Sequence, residues 1–210
     1  LIRFPCGDIT LEGEWYLPGG VGPFPGIIIC HPHPLYGGDM WNNIVAAIFR
    51  TLPEYSVAAF RFNFRGVGGS KGYFGGGSDV QQDVWAALDF LISAPGIDSA
   101  RIGLAGYSFG GGVALPVAVN DARVGLLALV SPAVSGSNLA QLGACDKPKL
   151  VIVGDNDRVV PFNRTRQNSA GILAPGQYQV VPGADHFWLG YEEEVAESVC
   201  RFVATTFGTI

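Results

Sequence analysis

Ile102-Gly103-Leu104-Ala105-Gly106-Tyr107-Ser108-Phe109-Gly110-Gly111-Gly112-Val113-Ala114-Leu115, entered from Arg101, decides how this chain is read. A short apolar run leads into a glycine-spaced serine, and an apolar segment of helical length, Phe109–Val119, follows at once. That order fits a buried strand, one tight turn and a helix. A strand without polar alternation must be covered on both faces, as in a parallel sheet flanked by helices. Pro116 falls inside the helical segment, so that helix is expected to be kinked or short.

Working outward, the same alternation recurs. Apolar runs at Gly26–Cys30, Val57–Asn63, Val124–Val130, Leu150–Val153 and Tyr178–Val181 read as strands. Helical patterns lie between or after them at Trp41–Leu52, Val80–Ile92, Asn163–Leu173 and Glu192–Phe207, with Ser78 and Asp79 opening the second. The chain begins differently: Ile2–Cys6 and Leu11–Leu17 alternate apolar with polar residues around Gly7-Asp8, which predicts an antiparallel hairpin. The expected fold is α/β, a mostly parallel, doubly wound sheet of about eight strands with that hairpin at its start. Active sites in such sheets lie at the carboxyl ends of the strands. With no linker or repeat, residues 1–210 read as one domain.

Composition closes off other classes. The 210 residues include 30 glycines, 15% are charged, 48% are hydrophobic, and the formal net charge is −5. Disorder needs the opposite balance. Without a Lys/Arg cluster there is nothing to neutralise a row of phosphates, so nucleic acid is not an expected partner. Arg101 to Asp121 and Arg123 to Asp146 enclose uncharged stretches long enough for a bilayer. Their proline, glycines and serines favour strand–turn–helix units, and no membrane partner is expected. Cys6, Cys30, Cys145 and Cys200 are scattered, without metal spacing, and suit free thiols in a reducing compartment. No basic segment followed by an apolar one opens the chain, so a cytoplasmic location is expected.

Chemistry enters through serine. With 30 glycines and eleven serines, chance gives about 0.2 matches to Gly-x-Ser-x-Gly. The pattern occurs twice, at Gly68-Gly69-Ser70-Lys71-Gly72 and Gly106-Tyr107-Ser108-Phe109-Gly110. Ser108 follows a strand and precedes a helix, the context that pushes a nucleophilic Oγ out at a sheet edge. Ser70 has neither neighbour, and reads as a structural loop serine. A serine hydroxyl needs a base, and the base needs an orienting group. Of three histidines, His186 in Gly183-Ala184-Asp185-His186 lies just past the last strand and is the expected base. His31 reads as a packed strand-end residue. His31-x-His33 lacks the further ligands a metal would need, so no metal is expected. The acid should end another strand, and Asp155 and Asp157 in Gly154-Asp155-Asn156-Asp157-Arg158-Val159-Val160-Pro161 both qualify. One oxyanion donor should be the Phe109 amide, at the start of a helix. The second should come from the loop after Gly26–Cys30. Pro32 and Pro34 have no N–H, which leaves His33, Leu35 and Tyr36.

These motifs together resemble the α/β-hydrolase superfamily over nearly the whole chain. Gly106-x-Ser108-x-Gly110, Gly154-x-x-Asp157-x-Val159-Val160-Pro161, Gly183-Ala184-Asp185-His186 and Arg65-Gly66-x-Gly68-x-Ser70-x-Gly72 carry the likeness. His31-Pro32-His33-Pro34 with Gly37-Gly38, and Arg61-Phe62-Asn63-Phe64-Arg65-Gly66, are similar to a branch of small bacterial hydrolases related to dienelactone hydrolases. The resemblance implies Asp157 as the acid, Leu35 as the second oxyanion donor, and a family-loop role for Ser70. The nucleophile is usually cysteine in dienelactone hydrolases and is serine here, which favours an ordinary carboxylic ester. Many superfamily members insert a lid after the strand equivalent to Val124–Val130. The Ser131 to Lys147 segment is too short for one and lacks an aromatic, so an open, lidless site is expected.

The reading is a serine esterase that acts on a small ester, with short acyl chains, through an acyl-serine and without a cofactor. Tyr36, Tyr107, Phe187 and Trp188 are its expected substrate-binding residues, with Trp41 and Phe74 as further wall candidates. Thioesterase, peptidase or acyltransferase chemistry would use the same groups, and a noncatalytic binding protein could use the same scaffold. A monomer or small homo-oligomer is expected.

Overall fold

The computed structural model describes residues 1–75, 79–134, 137–160 and 175–210. The expected Asn163–Leu173 helix, the Ser78 cap and Pro161 lie outside the described residues. Eight strands form one sheet in the order β1-β2-β4-β3-β5-β6-β7-β8. They are β1 (Ile2–Cys6), β2 (Ile9–Tyr16), β3 (Phe24–Cys30), β4 (Ala58–Phe62), β5 (Ile97–Tyr107), β6 (Val124–Val130), β7 (Lys149–Gly154) and β8 (Gly176–Val181). β1 and β2 form the expected antiparallel hairpin, turning at Gly7 with φ +56, and β2 pairs antiparallel with β4. From β4 through β8 every pairing is parallel.

Helices cover both faces, as unalternated apolar strands require. They are α1 (Asn43–Thr51), α2 (Asp79–Ser93), α3 (Phe109–Asn120), α4 (Ser137–Ala144) and α5 (Glu192–Phe207). α1 and α5 seal one face through Ile44, Ile48, Val195 and Val199. α2 and α3 seal the other through Val84, Leu88, Val113 and Val117. Both uncharged stretches resolve into strand–helix units, and among the described residues no helix is long and apolar enough to cross a membrane. All four thiols are buried and unpaired.

One sequence expectation is amended. Pro116 does not shorten α3, which runs to Asn120. The carbonyl that its missing N–H would have engaged, on Gly112, accepts instead from the Asn138 side chain at 3.3 Å, so the helix continues with a substitute donor. Between β6 and β7, where a lid would be inserted, stands the short helix α4, anchored by buried Leu142.

The parallel register brings strand ends to a common edge: Cys30 pairs with Gly106, Tyr107 with Val130, and Gly154 with Val181. Each residue of interest therefore leaves the sheet from the same side.

Candidate active site

Ser108 sits between β5 and α3 with φ +53 and ψ −116, a positive φ that is strained for a residue with a side chain. The flanking glycines explain how the turn closes. A Cβ on Gly106 would lie 2.6 Å from the Gly110 oxygen, and a Cβ on Gly110 would lie 2.2 Å from the Cys30 oxygen. Gly-x-Ser-x-Gly is thus required by close backbone approach on both sides of the serine.

From this turn the Ser108 Oγ lies 2.9 Å from His186 Nε2, and His186 Nδ1 lies 2.8 Å from Asp157 Oδ2. All three residues are nearly buried. Asp157 Oδ1 accepts the amides of Val159 and Val160 at 2.9 and 2.8 Å, which fixes the carboxylate plane. Burial pushes the Asp157 carboxyl upward, but hydrogen bonds from His186, the Val160 amide and Ser131 together outweigh it and hold it below the usual carboxylate range. Asp155 is occupied elsewhere: its Oδ1 accepts the Gly183 amide at 2.7 Å and braces the loop that carries His186.

The other motif serine has different surroundings. Ser70 Oγ donates to the Asn63 carbonyl at 2.6 Å and accepts the Glu12 amide at 3.0 Å. Two of its neighbouring glycines pack against Glu12: a Cβ on Gly68 would lie 2.4 Å from Glu12 Oε1, and one on Gly69 would lie 2.2 Å from Glu12 Oε2. Arg65, at the head of the same loop, is clamped by buried Asp83 through Nε at 2.9 Å and Nη2 at 2.8 Å.

Phe109, as the first residue of α3, has an amide without an intrahelical acceptor. The loop after β3 runs against the first turn of that helix, with the His33 and Phe109 rings 4.7 Å apart. In this loop the Leu35 amide donates to His33 Nδ1 at 3.2 Å, the Tyr36 and Gly38 amides to the His33 carbonyl, and the Gly37 amide to the Pro34 carbonyl. Leu35, expected as a donor toward substrate, therefore spends its N–H inside the loop, where the His33 side chain caps the turn. The His33 amide has no such internal acceptor.

The expected pocket residues divide. Tyr36 and Phe187 are exposed, and Phe187 packs edge-on against the His186 ring. Phe74 meets Phe109 and His33. Trp41 is half-exposed and lies over the Arg61 guanidinium. Tyr107 and Trp188 cannot line an open pocket, because both rings are buried. Tyr107 donates its hydroxyl to the His186 carbonyl at 2.5 Å, and Trp188 donates Nε1–H to Ser131 Oγ at 3.2 Å. Both support the site from beneath. Ser131 was not singled out from sequence, although its place directly after β6 puts it on the strand-end edge, where it receives the Trp188 indole.

The profile of the dienelactone hydrolase family matches residues 74–209, a span holding Ser108, Asp157 and His186. The chain belongs to the dienelactone hydrolase family. Among solved structures, this family member is similar to an alpha-beta serine hydrolase homologue from Coxiella burnetii, at 35% identity, TM-score 0.87 and 95% of both chains. It is also similar to XC6422 from Xanthomonas campestris, an α/β serine hydrolase without lid, at 27% identity and TM-score 0.83, over 96% of this chain and 92% of that one. Protein RP471 of Rickettsia prowazekii is 32% identical over 192 residues, 86% of this chain and 79% of the relative. Membership makes the chain a hydrolase of the lidless α/β architecture.

Proposed function

We propose that this hydrolase cleaves carboxylic esters of small molecules through an acyl-serine, with Ser108 as nucleophile, His186 as base and Asp157 as its orienting acid. The observation that carries this reading is the continuous hydrogen-bonded path from Ser108 Oγ to His186 Nε2 and from Nδ1 to Asp157, at 2.9 and 2.8 Å. The aspartate keeps the proton on Nδ1, so Nε2 is the nitrogen free to take the serine proton. Attack forms a tetrahedral oxyanion. Collapse expels the alcohol, protonated by His186, and water then hydrolyses the acyl-serine by the same base.

The oxyanion is stabilised in this reading by the Phe109 and His33 amides. His33 replaces Leu35 because the Leu35 N–H is already bonded to an imidazole within its own loop. No cofactor is required. The lidless architecture favours water-soluble esters with short acyl chains over lipid substrates.

Pre-steady-state hydrolysis of p-nitrophenyl acetate tests the mechanism. A burst of one equivalent of nitrophenol per chain, or stoichiometric labelling of Ser108 by a fluorophosphonate, supports it; absence of both overturns it. A panel of nitrophenyl esters should give simple saturation, with kcat/KM falling beyond roughly six acyl carbons. A rate jump at the micellar threshold would contradict the open site.

A further inference from the structure

His31 is one of the few polar residues wholly buried in the core, and the proposed mechanism gives it no part. Its Nδ1 lies 2.7 Å from the Pro32 carbonyl oxygen, and its Nε2 lies 3.1 Å from the Phe64 amide nitrogen. A carbonyl can only accept and an amide N–H can only donate, so both contacts require one state: neutral imidazole with the proton on Nδ1. Burial favours the neutral form as well, pushing the imidazole down to about 4.

The consequence lies in the geometry of one peptide unit. The Pro32 oxygen and the His33 N–H belong to the same planar trans peptide, so they point in opposite directions. Holding the oxygen inward against His31 turns the His33 N–H outward. The chain cannot easily swing back, because Gly38 backs the same carbonyl: a Cβ there would lie 2.1 Å from the Pro32 oxygen. The far side of His31 is fixed to the start of the Phe64 segment, beyond β4, and its ring packs edge-on against the Phe64 ring with centroids 4.6 Å apart. The imidazole thus ties the loop after β3 to the loop after β4.

We propose that His31 is a positioning residue for the oxyanion hole, setting the direction of the His33 amide through the Pro32 carbonyl. The proposal rests on the reading of the His33 amide as an oxyanion donor. Its weight comes from the fact that a donor contributes fully only when it already points where charge develops. Loss of a donor outright costs about 10²–10³ in kcat. A donor left in place but free to tilt should cost less, about ten- to a hundredfold.

Two variants separate the two nitrogens. His31→Asn carries a side-chain N–H near the Nδ1 position and can still hold the Pro32 carbonyl, while its contact to Phe64 is lost. His31→Gln reaches the Phe64 amide with its oxygen and leaves the Pro32 carbonyl unheld. With p-nitrophenyl acetate, kcat should fall about ten- to a hundredfold in His31→Gln with KM within about threefold, and His31→Asn should retain kcat within about threefold of the parent chain. Equal losses in both variants, or no loss in His31→Gln, overturn the proposal. Should either variant fail to fold, ¹⁵N NMR of the unaltered chain decides: protonated Nδ1 and unprotonated Nε2 are expected at neutral pH, and the reverse tautomer refutes it. Failure of the esterase reading itself would be distinct, since the unaltered chain would then turn over no ester.

Discussion

His186 Nδ1 lies 2.8 Å from Asp157 Oδ2, while the second oxygen of that carboxylate is held by the amides of Val159 and Val160. The imidazole is therefore oriented by a group that is itself immobilised. Asp155, two residues earlier, makes one bond to the Gly183 amide and none to the imidazole. Asp157→Asn should lower kcat by about 10⁴ with the fold retained, as expected when the base loses the carboxylate that fixes its tautomer. Asp155→Asn should keep kcat within about tenfold and lower the unfolding midpoint. Steady-state kinetics and urea titrations of the two variants check this; exchanged effects would reassign the acid.

The two glycine-flanked serines should separate cleanly. Ser108→Ala should abolish fluorophosphonate labelling. Ser70→Ala should still be labelled, at Ser108, but should lose about 1–3 kcal/mol of stability, because the buried Asn63 carbonyl and Glu12 amide would lose their partner. Peptide mapping of the label and chemical denaturation are the two readouts.

Ser131 receives the Trp188 indole N–H and helps keep the Asp157 carboxyl below the usual carboxylate range. Ser131→Ala should reduce kcat about three- to tenfold with KM unchanged. It should also destabilise the chain, since it leaves a buried indole N–H without an acceptor. A KM effect larger than the kcat effect would place this serine against substrate instead.

Stability should fall in mild acid because of His31. Burial holds its imidazole at about 4 in the folded chain, against an ordinary value of 6.5. The folded state then binds fewer protons than the unfolded state between these values. The contribution is present in full above pH 6.5 and is lost as pH drops toward 4, by about 3 kcal/mol at most. Urea titrations between pH 7 and pH 4 should show a steeper loss in the parent chain than in His31→Asn, which has no group to titrate there. Parallel losses would remove His31 from the account.

How far the sequence could be read depended on whether the signal was local. The unalternated runs ending at Cys30, Ala105 and Val130 marked buried parallel strands, because covering both faces of a sheet demands such runs wherever they occur. Gly106 and Gly110 marked the turn at Ser108, because the backbone approach there admits no Cβ. For helix α4 the Arg123 to Asp146 stretch announced a strand–turn–helix unit but not its bounds, because so short a helix is stabilised by what it packs against, including the Asn138 bond to the carbonyl freed by Pro116.

The sequence by itself determined the sheet, its hairpin entry, the serine at the strand–helix turn and the histidine past the last strand. Each of these is written in local pattern and chain order. Only the tertiary structure decided which loop amide stays free, which aromatics face solvent, and what His31 and Ser131 touch. Leu35 and His33 differ little as letters; the difference is that a ring nitrogen two residues back claims one amide and not the other. Trp188 and Phe187 are adjacent, yet one is fully buried and the other exposed. Such outcomes turn on hydrogen-bond partners and packing contributed by separate strand ends, and no single stretch of chain contains them.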